Sequence, residues 1–189
     1  SLGSFCKWLA IEAENLGVEI YPGFAAADFI TNQGNLSGII TSDLGLDKDG
    51  QPGPNFQPGL EIHSKYTLFA EGCRGHLGKK LIEKFDLRKD SQHQTYGIGL
   101  KELWEVQTDK SKPGSVLHTI GWPLDTTTYG GSFLYHLSDN LVSVGFVIGL
   151  DYQNPYLSPY EEFQRFKLHP NLKPLFEGGR RISYGARAL

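Results

Sequence analysis

The 189-residue sequence contains no methionine and only two cysteines, Cys6 and Cys73. Two cysteines without a CxxC pair exclude a disulfide framework, a cysteine-rich zinc site and an iron–sulfur cluster held by this sequence alone. No apolar run approaches the roughly 18 residues that a membrane-spanning helix requires. Because a translated chain starts with methionine and this one starts with Ser1, we expect an internal piece of a longer protein.

The sequence also has no excess of charge of one sign. Eighteen Lys and Arg residues against 21 Asp and Glu residues give a formal net charge of -3. Nucleic-acid binding relies on a clustered basic face, so this balance gives no support for a nucleic-acid partner. With 39% hydrophobic and 21% charged residues the composition is globular. The 23 glycines, 10 prolines and 12% aromatic residues favour turns and strands over a helical bundle.

The first half of the sequence alternates between helix and strand patterns. Apolar residues recur on one helix face within 4–16, Gly17 is expected to end that helix, and a second helix is predicted at 77–85. Strands are predicted at 18–21, 25–30, 36–41 and 61–70. Residues 32–35 have the composition of a hairpin turn, and 43–59 form a loop rich in Gly and Pro. This order is typical of part of an α/β domain.

The second half is dominated by strand patterns. They lie at 96–106, 116–122, 132–137, 141–150 and 181–185. Ser138-Asp139-Asn140 predicts a hairpin. A helix is expected to start at Ser158, with Pro159 at its first position and Glu161 three residues after the cap. The predicted fold class is α+β, with a short α/β part first and an antiparallel sheet second.

Two segments can hold a ligand. The first is the strand, turn and helix of residues 67–81, where Gly72 and Gly75 permit close backbone approach and a helix N-terminus favours an anion. A plain turn between strand and helix explains the same residues. The second is Tyr129-Gly130-Gly131-Ser132, where two missing Cβ atoms would let a flat ring lie against bare backbone. A tight turn or bulge is the alternative there.

Several longer strings resemble the electron transfer flavoprotein–ubiquinone oxidoreductase family. They are FAEGCRGHLGKKL (69–81), HTIGWPLD (118–125), TYGGSFLYHL (128–137) and EGGRRISYGARAL (177–189). The resemblance covers nearly the whole sequence and is broken only at 43–59 and 107–115. In that family, electrons arrive on electron transfer flavoprotein, reach an FAD and a 4Fe-4S cluster, and pass to ubiquinone in the membrane.

The resemblance implies a role for each half of the chain. Residues 1–90 would belong to the FAD-binding α/β domain, and residues 91–189 to an antiparallel-sheet ubiquinone-binding domain with flanking helices. The implied quinone contacts are Tyr129, Gly130 and Gly131, with Phe133 and Trp122 as candidate wall residues. The implied FAD contacts are Glu71, Gly72, Cys73 and Gly75.

The resemblance also implies that essential parts lie elsewhere in the full-length protein. The Rossmann glycine fingerprint and the cluster cysteines of the family have no counterpart here, so we expect the isolated chain to be inactive. The expected partners are ubiquinone, electron transfer flavoprotein and a membrane surface, at the mitochondrial inner or bacterial cytoplasmic membrane as a peripheral protein. Two alternatives stay open: a related FAD-dependent reductase or hydroxylase acting on another apolar substrate, and a folded piece without activity.

Overall fold

The computed structural model describes residues 2–189, which divide into two compact units, one ending at Ser91 and one spanning Gln92 to Leu189. The elements of the N-terminal unit are α1 (Leu2–Asn15), β1 (Ala26–Asn32), β2 (Asn35–Thr41), β3 (Leu44–Leu46), β4 (Pro52–Gln57), β5 (Glu61–His63) and α2 (His76–Lys84). Strands β1, β2 and β5 form an antiparallel three-stranded sheet, and β3 pairs with β4. The predicted hairpin at 32–35 is confirmed, since Gln33 and Gly34 both adopt the positive φ of a two-residue turn.

Three predictions for this unit were wrong or incomplete. Residues 18–21 form no strand, because no strand in the described part of the chain pairs with them and Val18 and Ile20 are exposed. The strand predicted at 61–70 ends at His63. The loop predicted at 43–59 contains the β3–β4 pair, in which Gly45 lies so close to Asn55 that a Cβ would collide with its carbonyl oxygen. The glycines of this segment permit the close pairing of β3 with β4. Their low strand propensity is the reason why the sequence pattern predicted a loop.

The C-terminal unit is a five-stranded antiparallel sheet with helices on one face. Its elements are β6 (Gly97–Glu105), β7 (Val116–Ile120), β8 (Gly130–His136), β9 (Leu141–Gly149), α3 (Pro159–Lys167), α4 (Lys173–Phe176) and β10 (Arg180–Ala188). The strand order is β10-β6-β9-β8-β7, so β7 and β10 are the edges. Asp139 and Asn140 turn the β8–β9 hairpin with positive φ, as predicted. The α+β fold with an antiparallel sheet is confirmed.

One face of this sheet forms the core with the helices. Alternate residues of β9 are fully buried, namely Val142, Val144, Phe146 and Ile148. Phe163 and Phe166 of α3 lie against Phe146, with ring centroids 6.3 and 5.4 Å away. The predicted start of α3 is confirmed, because the Ser158 hydroxyl accepts a hydrogen bond from the Glu161 backbone N–H.

The opposite face of the same sheet is only half-buried in the C-terminal unit. Along β8 the side chains alternate strictly, so Ser132 and Leu134 are buried while Phe133 and Tyr135 are partly exposed. In the register of the sheet, His118 of β7 stands opposite Phe133, and Gly131 stands opposite Val147 of β9. Side chains on this face can therefore meet a ligand.

Candidate functional site

A cleft of about 320 Å³ lies at the β7–β8 edge of the sheet in the C-terminal unit. It brings together the predicted residues Tyr129, Gly130, Gly131 and Phe133. His118, Thr119, Ile120, Ser132 and Val147 complete its lining. Trp122, the other predicted wall residue, lines a neighbouring cleft instead.

The two glycines are the first residues of β8, and neither has a positive φ. A Cβ on Gly131 would lie 2.4 Å from the carbonyl oxygen of Thr119, and one on Gly130 would lie 2.4 Å from that of Val147. Both glycines are thus required by the close approach of neighbouring strands. A substitution at either position disturbs the sheet whether or not a ligand binds there.

The loop before β8 is held in place by Asp125. Its Oδ1 accepts hydrogen bonds from the Thr127 hydroxyl, the Thr127 N–H and the Thr128 N–H at 2.9–3.0 Å. The hydrogen bond from the Thr127 side chain is the main cause that lowers the pKa of Asp125 below its ordinary value. At the end of this loop the Tyr129 carbonyl accepts a hydrogen bond from the Gly149 N–H at 2.8 Å. Tyr129 therefore enters the cleft from a fixed backbone.

Two pairs of polar side chains lie on the strands that line the cleft. The hydroxyls of Thr119 and Ser132 are 2.6 Å apart. His118 Nε2 and Tyr135 Oη are 3.1 Å apart, and the Tyr135 ring stacks on Phe133 with centroids 4.8 Å apart. In the sequence alone, the position of His118 within a strand pattern favours a packed or surface residue over a ligand. The strand register places His118 opposite Phe133, and therefore on the sheet face that lines the cleft. The sequence alone does not reveal that register.

The glycine turn at residues 71–75 of the N-terminal unit does not form an open anion site. The Glu71 carboxylate accepts hydrogen bonds from the N–H groups of Gly78 at 2.7 Å and Leu77 at 3.3 Å, at the start of α2. A Cβ on Gly75 would overlap the Glu71 side chain. Gly72 is exposed and has a φ of 80°, a conformation that glycine adopts without strain.

These contacts give Glu71 and Gly75 a structural role, because the carboxylate already occupies the helix N-terminus. In the same turn Gly72 is exposed and Cys73 is half-buried. The assignment of these four residues to FAD binding stays a prediction.

Across residues 2–189, no three His, Cys, Asp or Glu side chains are grouped closely enough to hold a metal ion. None of the helices described for the chain combines the length and the apolar character that crossing a membrane requires.

The residues that line the cleft fall within a segment that matches a known family model. The family model described as "ETF-QO, ubiquinone-binding" matches residues 96–189, which include all the residues that line the cleft. The whole chain is 60% identical to the mitochondrial electron transfer flavoprotein-ubiquinone oxidoreductase of Sus scrofa. It is 56% identical to the electron transfer flavoprotein-ubiquinone oxidoreductase of Pseudomonas aeruginosa.

The chain belongs to the electron transfer flavoprotein–ubiquinone oxidoreductase family. It spans about a third of the length of these relatives, 31% for the pig protein and 35% for the bacterial one. This level of identity over the whole chain does not favour the alternative of a related reductase or hydroxylase.

Solved structures of low sequence identity share the fold. A geranylgeranyl bacteriochlorophyll reductase-like protein from Thermoplasma acidophilum superimposes with a TM-score of 0.69 at 16% identity, over 98% of this chain and 41% of its own. A flavoprotein/dehydrogenase from Cytophaga hutchinsonii gives 0.59 at 19% identity, over 99% and 42%. The predicted combination of helices with an antiparallel sheet is therefore one that flavoproteins contain.

Proposed function

We propose that the full-length protein passes electrons from reduced electron transfer flavoprotein to ubiquinone, and that the cleft at Tyr129, Gly130 and Gly131 receives the quinone ring. The observation that carries this proposal is the position of the cleft. It lies in the segment that matches a ubiquinone-binding family model, on the half-buried face of the sheet. The names of the relatives support the direction of electron flow.

The chemistry of the cleft suits a quinone. A quinone ring is flat and apolar and carries two carbonyl oxygens, so it fits an apolar pocket with a few polar groups that fix its orientation. Ile120, Phe133 and Val147 supply apolar surface. Gly130 and Gly131 contribute backbone without side chains to the lining.

FAD in the full-length protein would supply the electrons for quinone reduction. In this chain the turn at Gly72 and Cys73 is the candidate flavin contact, because Gly72 is exposed and has no side chain to block close approach. The N-terminus of α2 does not fit the diphosphate, since Glu71 already accepts hydrogen bonds from its N–H groups. We therefore expect the diphosphate to bind residues outside this sequence.

The 4Fe-4S cluster and the membrane contact belong to the same proposal. Cys6 and Cys73 are too few to hold a four-cysteine cluster, so its ligands would come from outside this sequence. We propose a peripheral position on the mitochondrial inner or bacterial cytoplasmic membrane, where ubiquinone is dissolved. Quinone would then reach the cleft from the lipid phase.

The proposal is tested by filling the cleft without changing the glycines. Val147→Phe in the full-length protein adds a ring at the cleft, and we expect the KM for a short-tailed ubiquinone analogue to rise at least about tenfold, because a lost contact of 1.4 kcal/mol is a tenfold change in affinity. Flavin content and reduction by electron transfer flavoprotein should stay unchanged. The matched control is Leu103→Phe, which adds aromatic surface on the same sheet face outside the cleft. Unchanged quinone kinetics in a stable Val147→Phe protein would rule out this cleft.

A further inference from the structure

Quinone reduction requires protons as well as electrons. A quinone becomes a hydroquinone when its two carbonyl oxygens together take up two electrons and two protons. Under the proposed function, the reduced flavin of the full-length protein supplies both electrons, and the protons come from water. A side chain that lines the cleft and exchanges protons near neutral pH would therefore have a role in the reaction.

His118 is the histidine among the residues that line the cleft. It lies on β7, directly opposite Phe133 and diagonally next to Gly131, on the face that the ring would cover. Diagonal neighbours on an antiparallel pair of strands are about 7–8 Å apart. The side chain of His118 can therefore reach a ligand that lies on Gly131.

The second feature is the hydrogen bond that orients the imidazole. His118 Nε2 and Tyr135 Oη are 3.1 Å apart, and Tyr135 is itself fixed by stacking on Phe133. In the residues that the structure describes, His118 Nδ1 has no hydrogen-bond partner. A hydroxyl both donates and accepts, so Tyr135 can hold Nε2 whether or not that nitrogen carries a proton.

We propose that His118 passes one of the two protons to the quinone held at Gly130 and Gly131, with Tyr135 as its positioning residue. In the charged imidazolium, Nε2–H donates to Tyr135 Oη and the Nδ1–H bond breaks as a new O–H bond forms on a quinone carbonyl oxygen. The neutral imidazole keeps its proton on Nε2. Water from the exposed side of the cleft then returns a proton to Nδ1.

The test compares His118→Ala and the full-length wild type with two electron acceptors. A ubiquinone analogue takes up protons when it is reduced. A ferricenium salt accepts one electron and takes up no proton. We expect kcat with the quinone to fall about 100-fold, the lower range for a positioned general acid. The dissociation constant for the quinone and turnover with ferricenium should be unchanged, and added imidazole should restore part of the quinone rate. Tyr135→Phe, which keeps the ring, should give a smaller loss of kcat with unchanged quinone affinity.

The control is His93→Ala, because His93 is exposed and lies outside the cleft. The proposal is overturned if His118→Ala keeps its quinone kcat within about twofold, or if it loses ferricenium turnover in parallel, which indicates a structural role. A variant that no longer binds the quinone overturns it too, since His118 would then be a binding group. These outcomes differ from failure of the proposed function, in which the wild type itself binds no quinone in this cleft.

Discussion

At the scale of single residues, the most constrained charge in the C-terminal unit is Glu102 on β6. Its side chain is 3% exposed, yet it accepts hydrogen bonds from Lys167 at 2.6 Å, from the Trp104 indole at 2.7 Å and from Arg181 at 3.2 Å. Lys167 comes from α3 and lies over the rings of Trp104 and Phe163. Burial alone would raise the pKa of Glu102, but hydrogen bonds from Lys167 and Trp104 outweigh it and hold the pKa below its ordinary value.

We predict that Glu102→Gln lowers the free energy of unfolding by about 3 kcal/mol at neutral pH, because removing one partner of a buried pair leaves the other charge uncompensated. The lowered pKa sets the sign of the pH dependence. The carboxylate stabilises the fold fully above its unfolded-state pKa of about 4.3, and this contribution is lost as the pH falls through the lower folded-state value. The difference between wild type and variant should therefore shrink in acid.

Urea unfolding followed by tryptophan fluorescence at several pH values measures this effect. Glu105→Gln is the matched control on the same strand, because its ion pair with Arg180 is exposed. Exposed pairs contribute about 0–1 kcal/mol, so the control should be nearly neutral. A Glu102→Gln protein as stable as the control would show that the buried ion pair adds nothing beyond its desolvation cost.

At the scale of elements, the contact of α3 with β9 builds the core of the C-terminal unit. Phe163 is 1% exposed, and together with Phe166 it forms the buried aromatic face of the helix. We predict that Phe163→Ala lowers the free energy of unfolding by about 3–5 kcal/mol, through lost burial and the cavity that remains. Tyr160→Ala, on the exposed side of the first turn, is the control and should cost much less. Equal losses for both variants would mean that the helix is held by its surface and not by its apolar face.

Some of these elements could be predicted from the sequence and others could not. The start of α3 and both hairpin turns were predicted because Ser158, Pro159 and the Asn- and Gly-containing turns determine local geometry. The strand at 18–21 was wrong because strand formation depends on a partner, which local sequence does not reveal. Tyr129, Gly130 and Gly131 line one cleft, and their role in quinone binding stays a prediction. His118 was not grouped with them because its face depends on strand register.

At the scale of the whole molecule, the two units differ in how much apolar surface they bury. The buried core cluster lies entirely in the C-terminal unit, while α1 has no buried residue and exposes Phe5, Trp8 and Ile11. Because the relatives are about three times as long, we expect the N-terminal unit to complete its packing, and the proposed flavin contact at Gly72, with residues from outside this sequence. Cofactor binding should therefore be a property of the full-length protein.

The last prediction is that the isolated 189-residue chain purifies without flavin. The diphosphate of FAD needs a helix N-terminus with free N–H groups, and at α2 these are bonded to Glu71. The measurement is flavin absorbance after dialysis, on protein whose circular dichroism and thermal transition show that the C-terminal unit is folded. The full-length protein, purified in the same way, is the positive control and should be yellow. Glu71→Ala in the isolated chain frees the N–H groups of α2, yet should also stay colourless, since one helix end lacks the glycine-rich loop that holds a dinucleotide. Stoichiometric flavin in the dialysed chain would contradict the prediction, and flavin only in Glu71→Ala would show that Glu71 keeps the phosphate out.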